Sequence, residues 1–221
     1  SKLSMKVCVG KALTNPTPQL SSELYNAQVN PVWNIPYSIA KKEMLHQLVR
    51  NPSYLSKRNI SVYKNNGKKV NASSINWSKI SPKNIPYSFR QAPGNYNSLG
   101  KIKFQFVNSS SVYLHDTPSK YPFQLEKRAI SHGCVRLEKP LELARAIYGE
   151  GEQYERIEKE FAASTAITRN IAIKPKIPVF IDYRTCFVDE SGQIQIRPDV
   201  YQLDTILYSN MKSKNALSPA L

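Results

Sequence analysis

Within seven residues, Ser131-His132-Gly133-Cys134-Val135-Arg136-Leu137, the chain sets a thiol two residues after an imidazole and two before a guanidinium. A second imidazole, His115, lies 19 residues before that cysteine. The whole chain has three histidines and three cysteines, so two of the histidines gather near one thiol in sequence. A thiol and an imidazole are the minimum set for nucleophilic catalysis. A thiol of ordinary pKa, about 8.5, is ionised by only a few per cent at neutral pH, and a nearby imidazole or Arg136 shifts it toward the thiolate. Gly133 has no Cβ, so the chain can turn tightly there. The main-chain N–H groups of 132–134 can then converge as an oxyanion hole.

Two plainer readings compete. Free cysteine is among the most buried residue types, so Cys134 could be a core thiol. His115, His132 and Cys134 could instead be metal ligands, although the set offers three ligands at a spacing that fits no common zinc motif. His46 falls on a helical pattern and is read as structural. Cys8 and Cys186 have no histidine beside them in sequence and are read as outside the chemistry.

The elements that must position these residues are mixed. Strand patterns run over Met5–Val9, Ile85–Gln91, Lys101–Phe106 and Ser111–His115, so His115 is expected to end a strand. Pro140–Tyr148 reads as a helix with proline in its first turn and Gly149 after its end. A charge-laced helix follows over Glu152–Ala163. Ile171–Ile173, Val179–Tyr183, Cys186–Val188 and Gln193–Arg197 read as strands, and the last dozen residues as frayed. Earlier, Pro31 and Pro36 fix an extended path around Trp33. Ser38 is expected to cap a helix whose apolar positions are 44, 45, 48 and 49. Asn65-Asn66-Gly67 marks the turn of a polar hairpin. Residues 33–85 are basic, Asn/Ser-rich and short of strand patterns, and are expected to form an inserted helical subdomain.

The chain has 221 residues, 41% of them hydrophobic, which is a globular profile and enough for a sizeable core. No apolar run approaches the roughly 20 residues of a membrane span. The chain opens on Ser1 and is expected to be a fragment lacking its natural N-terminus. The net charge is +15, and residues 1–120 hold 17 basic and three acidic side chains. Such a field attracts a polyanion or simply keeps the protein soluble. No zinc-finger, helix-turn-helix or RNP-like pattern points to nucleic acid. Three cysteines are too few for a disulfide scaffold at this length.

His115, a gap of 15 residues and Ser131-His132-Gly133-Cys134-Val135-Arg136 together resemble the signature of the L,D-transpeptidase (YkuD-type) catalytic domain. Tyr113-Leu114-His115-Asp116-Thr117-Pro118 extends the likeness. So do Pro93-Gly94 with Asn97-Ser98-Leu99-Gly100, and Asn30-Pro31-Val32-Trp33-Asn34-Ile35-Pro36. These segments resemble the large, lid-bearing branch typified by YcbB, which carries Arg where many members have Asn after the cysteine.

The resemblance implies a mainly β fold with helices (α+β): a YkuD-like β-sandwich catalytic domain spanning 1–221, with residues 33–85 inserted as a lid. It implies acyl transfer on peptidoglycan tetrapeptide stems without cofactor or metal, with D-Ala leaving and a 3→3 cross-link as product. Cys134 would be the nucleophile and His115 the base, with the Asp116 carbonyl orienting its other nitrogen. His132 and Gly133 would stand on the oxyanion side. Arg136 would hold a substrate carboxylate, while Ser131, Tyr113 and Trp33 would line the cleft. Lysines and arginines of the lid are expected to face substrate, and β-lactams, carbapenems above all, to acylate the thiol. The location expected is the periplasm or cell envelope. A hydrolase on the same scaffold and a non-enzymatic wall-binding module remain as alternatives.

Overall fold

The computed structural model describes residues 3–163 and 166–216. The strands in chain order are β1 (Val7–Gly10), β2 (Leu20–Val29), β3 (Trp33–Ile35), β4 (Ile60–Lys64), β5 (Lys69–Val70), β6 (Tyr87–Gln91), β7 (Ile102–Phe106), β8 (Leu114–His115), β9 (Ala129–Ser131), β10 (Val135–Leu137), β11 (Arg169–Ile181), β12 (Cys186–Val188) and β13 (Ile194–Ile196). Seven of them form one sheet in the order β11-β2-β7-β8-β10-β1-β9. Its pairings are antiparallel except β8–β10 and β1–β9, which are parallel.

Alternation drives this sheet. Ile102, Phe104 and Phe106 of β7 are buried while Lys103 and Gln105 face the other way. Val29, Ala27 and Leu24 continue the apolar face on β2, and Ile171 and Ile173 on β11. Helices α3 (Pro140–Tyr148) and α4 (Glu152–Ala162) cover that face with Ala144, Tyr154 and the fully buried Ile157. Each such buried aliphatic or aromatic side chain contributes about 1.5–3 kcal/mol. The result is a mainly β fold with helices.

Residues 33–91 build a second core, and here the expectation of a helical insert is corrected. β3, β6, β4 and β5 form a four-stranded antiparallel sheet in that order. The short run Ile60-Ser-Val-Tyr-Lys alternates with period two and buries Ile60 and Val62. Its partner β6 lies more than twenty residues on, so no local pattern announces the pairing. The expected turn at Asn65–Gly67 does join β4 to β5, closed by a bond from Gly67 N–H to Lys64 O. Against this sheet pack α1 (Tyr37–Ile39), a π-helical turn over Ala40–Met44 and α2 (Leu45–Arg50), which bury Ile39, Met44, Leu45 and Leu48. Val49 stays outside, and Pro36 rather than Ser38 occupies the cap position, with no side-chain capping bond.

Two differences lie near the C-terminus. The separate strands expected over 171–183 are one long strand, β11, broken in register between Ala172 and Ile177. Of the expected frayed dozen, the residues up to Ala216 continue a helix, α5 (Leu203–Ala216), and those after it lie outside the described residues.

Gly100 joins the insert's exit to β7 with φ +62, and a Cβ there would overlap the Asp116 side chain. That carboxylate accepts from Lys101 N–H at 2.9 Å and from Lys120 Nζ at 2.6 Å, which ties the end of β8 to the start of β7. Gly100→Ala should therefore cost about 2–4 kcal/mol, left-handed strain plus overpacking. Urea unfolding measures it, and a loss below about 1 kcal/mol would mean that Asp116 moves aside freely.

Candidate active site

The parallel pairing of β8 with β10 sets Leu114 opposite Val135 and His115 opposite Arg136. Leu114, Val135 and Leu137 belong to the apolar core. Side chains alternate along a strand, so His115 and Arg136 point to the opposite face, and so do Tyr113 and Cys134 two residues earlier. Val135 N–H donates to Tyr113 O at 3.1 Å, which holds Cys134 beside Tyr113. The same row continues outward: Lys103 of β7 is in register with His115, and Cys8 of β1 with Arg136. Cys8 is thus a fully buried neighbour of the site, although nothing beside it in sequence marks it. The third cysteine, Cys186, is exposed and on another sheet.

Between this face and the insert lies a cleft of about 500 Å³. Tyr113, His115, Ser131, His132, Cys134 and Arg136 line one side, and Trp33, Pro36, Ile39 and Glu43 of the insert line the other. Among the described residues no group of three or more His, Cys, Asp or Glu side chains could hold a metal ion.

His115 is 5% exposed, and its Nδ1 lies 2.5 Å from the Asp116 carbonyl oxygen. A carbonyl can only accept, so Nδ1 carries the proton and Nε2 keeps a lone pair. Burial pushes the imidazole pKa down to about 4, assisted by Arg136 and opposed by the carbonyls of Asp116 and Leu99. Burial also pushes the Cys134 thiol up. The main-chain and hydroxyl groups of Tyr113 and the charges of Arg136 and Lys103 pull it back toward the thiolate. The unliganded cleft therefore holds a neutral thiol near a neutral imidazole at neutral pH. Desolvation also holds the Lys103 ammonium below its usual range, against the attraction of Cys134, and it sits 5.4 Å from the Tyr113 ring centre.

The catalytic loop is held from behind. Gly133 has φ +112, a conformation few other residues adopt, and its carbonyl accepts from Thr17 Oγ1 at 2.8 Å. Thr17 Oγ1 in turn accepts from Gly10 N–H, and the Tyr201 hydroxyl donates to Gly10 O. Ser131 Oγ donates to Cys134 O at 2.6 Å and accepts from Gly133 N–H at 3.1 Å. This corrects the expected oxyanion arrangement: the Gly133 N–H is already used, whereas the Cys134 N–H has no partner among the described residues. Ser131 shapes the loop with its hydroxyl instead of offering it to a ligand. Thr17 and Tyr201 went unremarked in the sequence because each is far from the motif it supports.

The other expected positions sort as follows. Arg136 lines the cleft, and its Nε is buried without a hydrogen-bond partner. Tyr113 and Trp33 line the cleft. Asp116 contributes its carbonyl to His115, but its carboxylate is turned away toward Lys101 and Lys120, so it does not line the cleft. His132 points across to the insert, with Nε2 2.5 Å from Glu43 Oε1. The insert's Lys41, Lys42, Arg50, Lys57, Arg58, Lys64, Lys68 and Lys69 are all exposed, and none lines the cleft. The expectation that they face substrate is thereby corrected: helical and strand periodicity turns the apolar positions inward and leaves the cations outside.

Residues 1–180 match the family described as the L,D-transpeptidase catalytic domain, YkuD. The chain is also 37% identical over 202 residues, 91% of its length, to a Haemophilus influenzae protein named "Putative L,D-transpeptidase". It spans 40% of the length of that relative. With a thiol, a carbonyl-tethered imidazole and a guanidinium on one face of two paired strands, and with this match over most of its length, the chain belongs to the YkuD family of L,D-transpeptidase catalytic domains.

Proposed function

We propose that this domain forms 3→3 cross-links in peptidoglycan through an acyl-enzyme on Cys134. The observation that carries the reading is the register of β8 and β10, which gives His115, Cys134 and Arg136 a common face in a cleft covered by the insert. The donor is a tetrapeptide stem, rich in carboxylates, and Arg136, on the wall of the cleft, takes one of them. Cys134 Sγ adds to the carbonyl that precedes the terminal D-Ala, and His115 Nε2 takes the thiol proton. The Cys134 N–H donates to the oxyanion, a contact worth about 10²–10³ in rate at comparable sites. Collapse breaks the C–N bond, and His115 returns the proton to the departing D-Ala amine. An amine of a second stem then takes the acyl group from sulfur.

The insert acts as a lid. A thioester that must wait for an amine is protected if bulk water is kept away, and Trp33, Pro36 and Ile39 present apolar surface over the thiol. The same thiol would be acylated by β-lactams, carbapenems above all. A substrate of this kind places the protein in the periplasm or cell envelope.

Incubation with tetrapeptide muropeptides followed by mass spectrometry tests the reading. Cross-linked dimers with D-Ala release are expected. Tripeptides alone would mean a hydrolase, and unchanged substrate a binding module. Cys134→Ala should abolish every covalent product while shifting thermal unfolding by no more than a few degrees; turnover retained in that variant would remove Cys134 from the chemistry.

The pH dependence follows from the depressed His115 pKa. Protonated imidazole cannot accept the thiol proton, so acylation falls as pH drops through about 4, not through the ordinary 6.5. Single-turnover acylation by a carbapenem, followed from pH 3.5 to 8 by intact mass, should show the acid limb near 4. A limb near 6.5 would mean that the imidazole is solvated when it acts. Stability moves in the same direction: the folded state resists protonation of His115, so that contribution is complete above about 6.5 and is lost as pH falls toward 4.

A further inference from the structure

Acyl transfer needs a second proton acceptor. The incoming amine is an ammonium ion at neutral pH and cannot attack until it loses a proton. His115 is 5% exposed, sits at the foot of the cleft and is tied to the donor half of the reaction. His132 is different. Its side chain is 31% exposed, that of its partner Glu43 is 50% exposed, and both line the same cleft as Cys134.

Glu43 is out of keeping with its surroundings. Residues 1–120 contain only Glu23, Glu43 and Asp116 as acids. Asp116 is occupied by Lys101 and Lys120, and Glu23 lies on β2 near Lys176. Among the described residues Glu43 is the one acid on the wall of the cleft, in an insert whose outer surface is basic. It stands in the π-helical turn, where Leu45 N–H reaches back to Ala40 O. Such a turn admits one extra residue and re-aims the side chains within it, a feature frequent at functional sites. A carboxylate only accepts, so His132 Nε2 donates, and it is the neutral ring whose Nδ1 keeps a lone pair. No hydrogen bond to that Nδ1 occurs among the described residues. A hydrogen bond between side chains this exposed contributes little to fastening the insert.

We propose that Glu43 and His132 form the acceptor side of the site, Glu43 holding the ammonium of the acceptor and His132 Nδ1 removing its proton; this rests on the transferase reading above. The cleft then has complementary ends, Arg136 for the donor carboxylate and Glu43 for the acceptor cation. The acceptor enters as R–NH₃⁺, and His132 takes one proton and passes it to solvent. The amine nitrogen adds to the thioester carbonyl, the N–C bond forms and the C–S bond breaks. A second proton returns through His115 to the Cys134 sulfur, and the third stays on the new amide. The ligand class is a primary alkylammonium on a peptide.

The test uses pre-formed acyl-enzyme, so the acylation rate drops out. The chain is loaded from an acyl donor, then offered an alkylammonium acceptor such as an Nα-blocked lysine, and the ratio of aminolysis to hydrolysis is read by mass spectrometry. Glu43→Gln and His132→Gln should each lower that ratio about tenfold or more, with Glu43→Asp recovering part of it. Hydroxylamine, neutral at pH 7.5, needs neither the carboxylate nor the base, so its ratio should change by less than about twofold in the same variants. An equal fall for both nucleophiles would overturn the proposal and leave the pair as a clasp for the insert. An unchanged lysine ratio would overturn it as well. If the unsubstituted chain forms acyl-enzyme but passes it only to water with either nucleophile, the transferase reading itself fails, and this one with it.

Discussion

Everything at this site depends on the parallel register between β8 and β10. The two strands share only two residue pairs, Leu114 with Val135 and His115 with Arg136. A slip of one residue would turn His115 into the apolar core and bring Leu114 to the cleft, because side chains alternate with period two. Such a short contact cannot fix its own register. β7 fixes it from one side, pairing Phe104 with Leu114 and Lys103 with His115, and β1 from the other, pairing Val7 with Leu137 and Cys8 with Arg136. Phe104 and Leu137 are in the core, so any slip would expose them as well. The hydrophobic effect on one face of the sheet thus holds the chemistry on the other.

Burial then decides the state of the reacting groups. Many thiol enzymes store an ion pair, but desolvation here raises the thiol and lowers the imidazole, so the neutral pair is favoured until substrate arrives. A resting thiolate would react with any electrophile that reached it. A neutral thiol responds to a carbonyl placed beside Cys134 N–H, with Tyr113, Lys103 and Arg136 already oriented to favour the sulfur anion as it forms. In the proposed reaction the site trades ground-state reactivity for selectivity, with the insert as the lid that keeps its surroundings dry.

Much of this was legible in the sequence, for identifiable reasons. The Ser131–Leu137 segment could be read because its chemistry is contiguous, and α3 because proline and glycine bracket it at Pro140 and Gly149. Of the strand expected over Ser111–His115 only Leu114–His115 forms, so its end was legible but not its start. The sheet within the insert could not be read: β4 is five residues long, its partner β6 is distant in sequence, and β3 joins only through β6. The supports of the catalytic loop were equally hidden. Thr17 lies in a Pro/Ser stretch, and its hydroxyl reaches Gly133 across more than a hundred residues of chain. Tyr201 closes the same network from beyond the region that matches the family. Local composition carries no trace of such contacts.

The charge of the insert was legible in amount but not in direction. A count of lysines and arginines over residues 41–69 favours cations facing an acidic substrate, yet helical and strand periodicity leave every one of them exposed and away from the cleft. Two scales of electrostatics are therefore separate in this molecule. The outer field acts over about a Debye length, roughly 10 Å at 0.1 M salt, and draws an anionic polymer toward the surface. Inside the cleft the field is set by Arg136, Lys103 and Glu43, close to the reacting atoms and little screened. In the proposed reaction a polymer captured by the first field must still present its amine to the second. On that proposal Glu43, the one carboxylate lining the cleft among the described residues, distinguishes an approaching ammonium from the carboxylates around it.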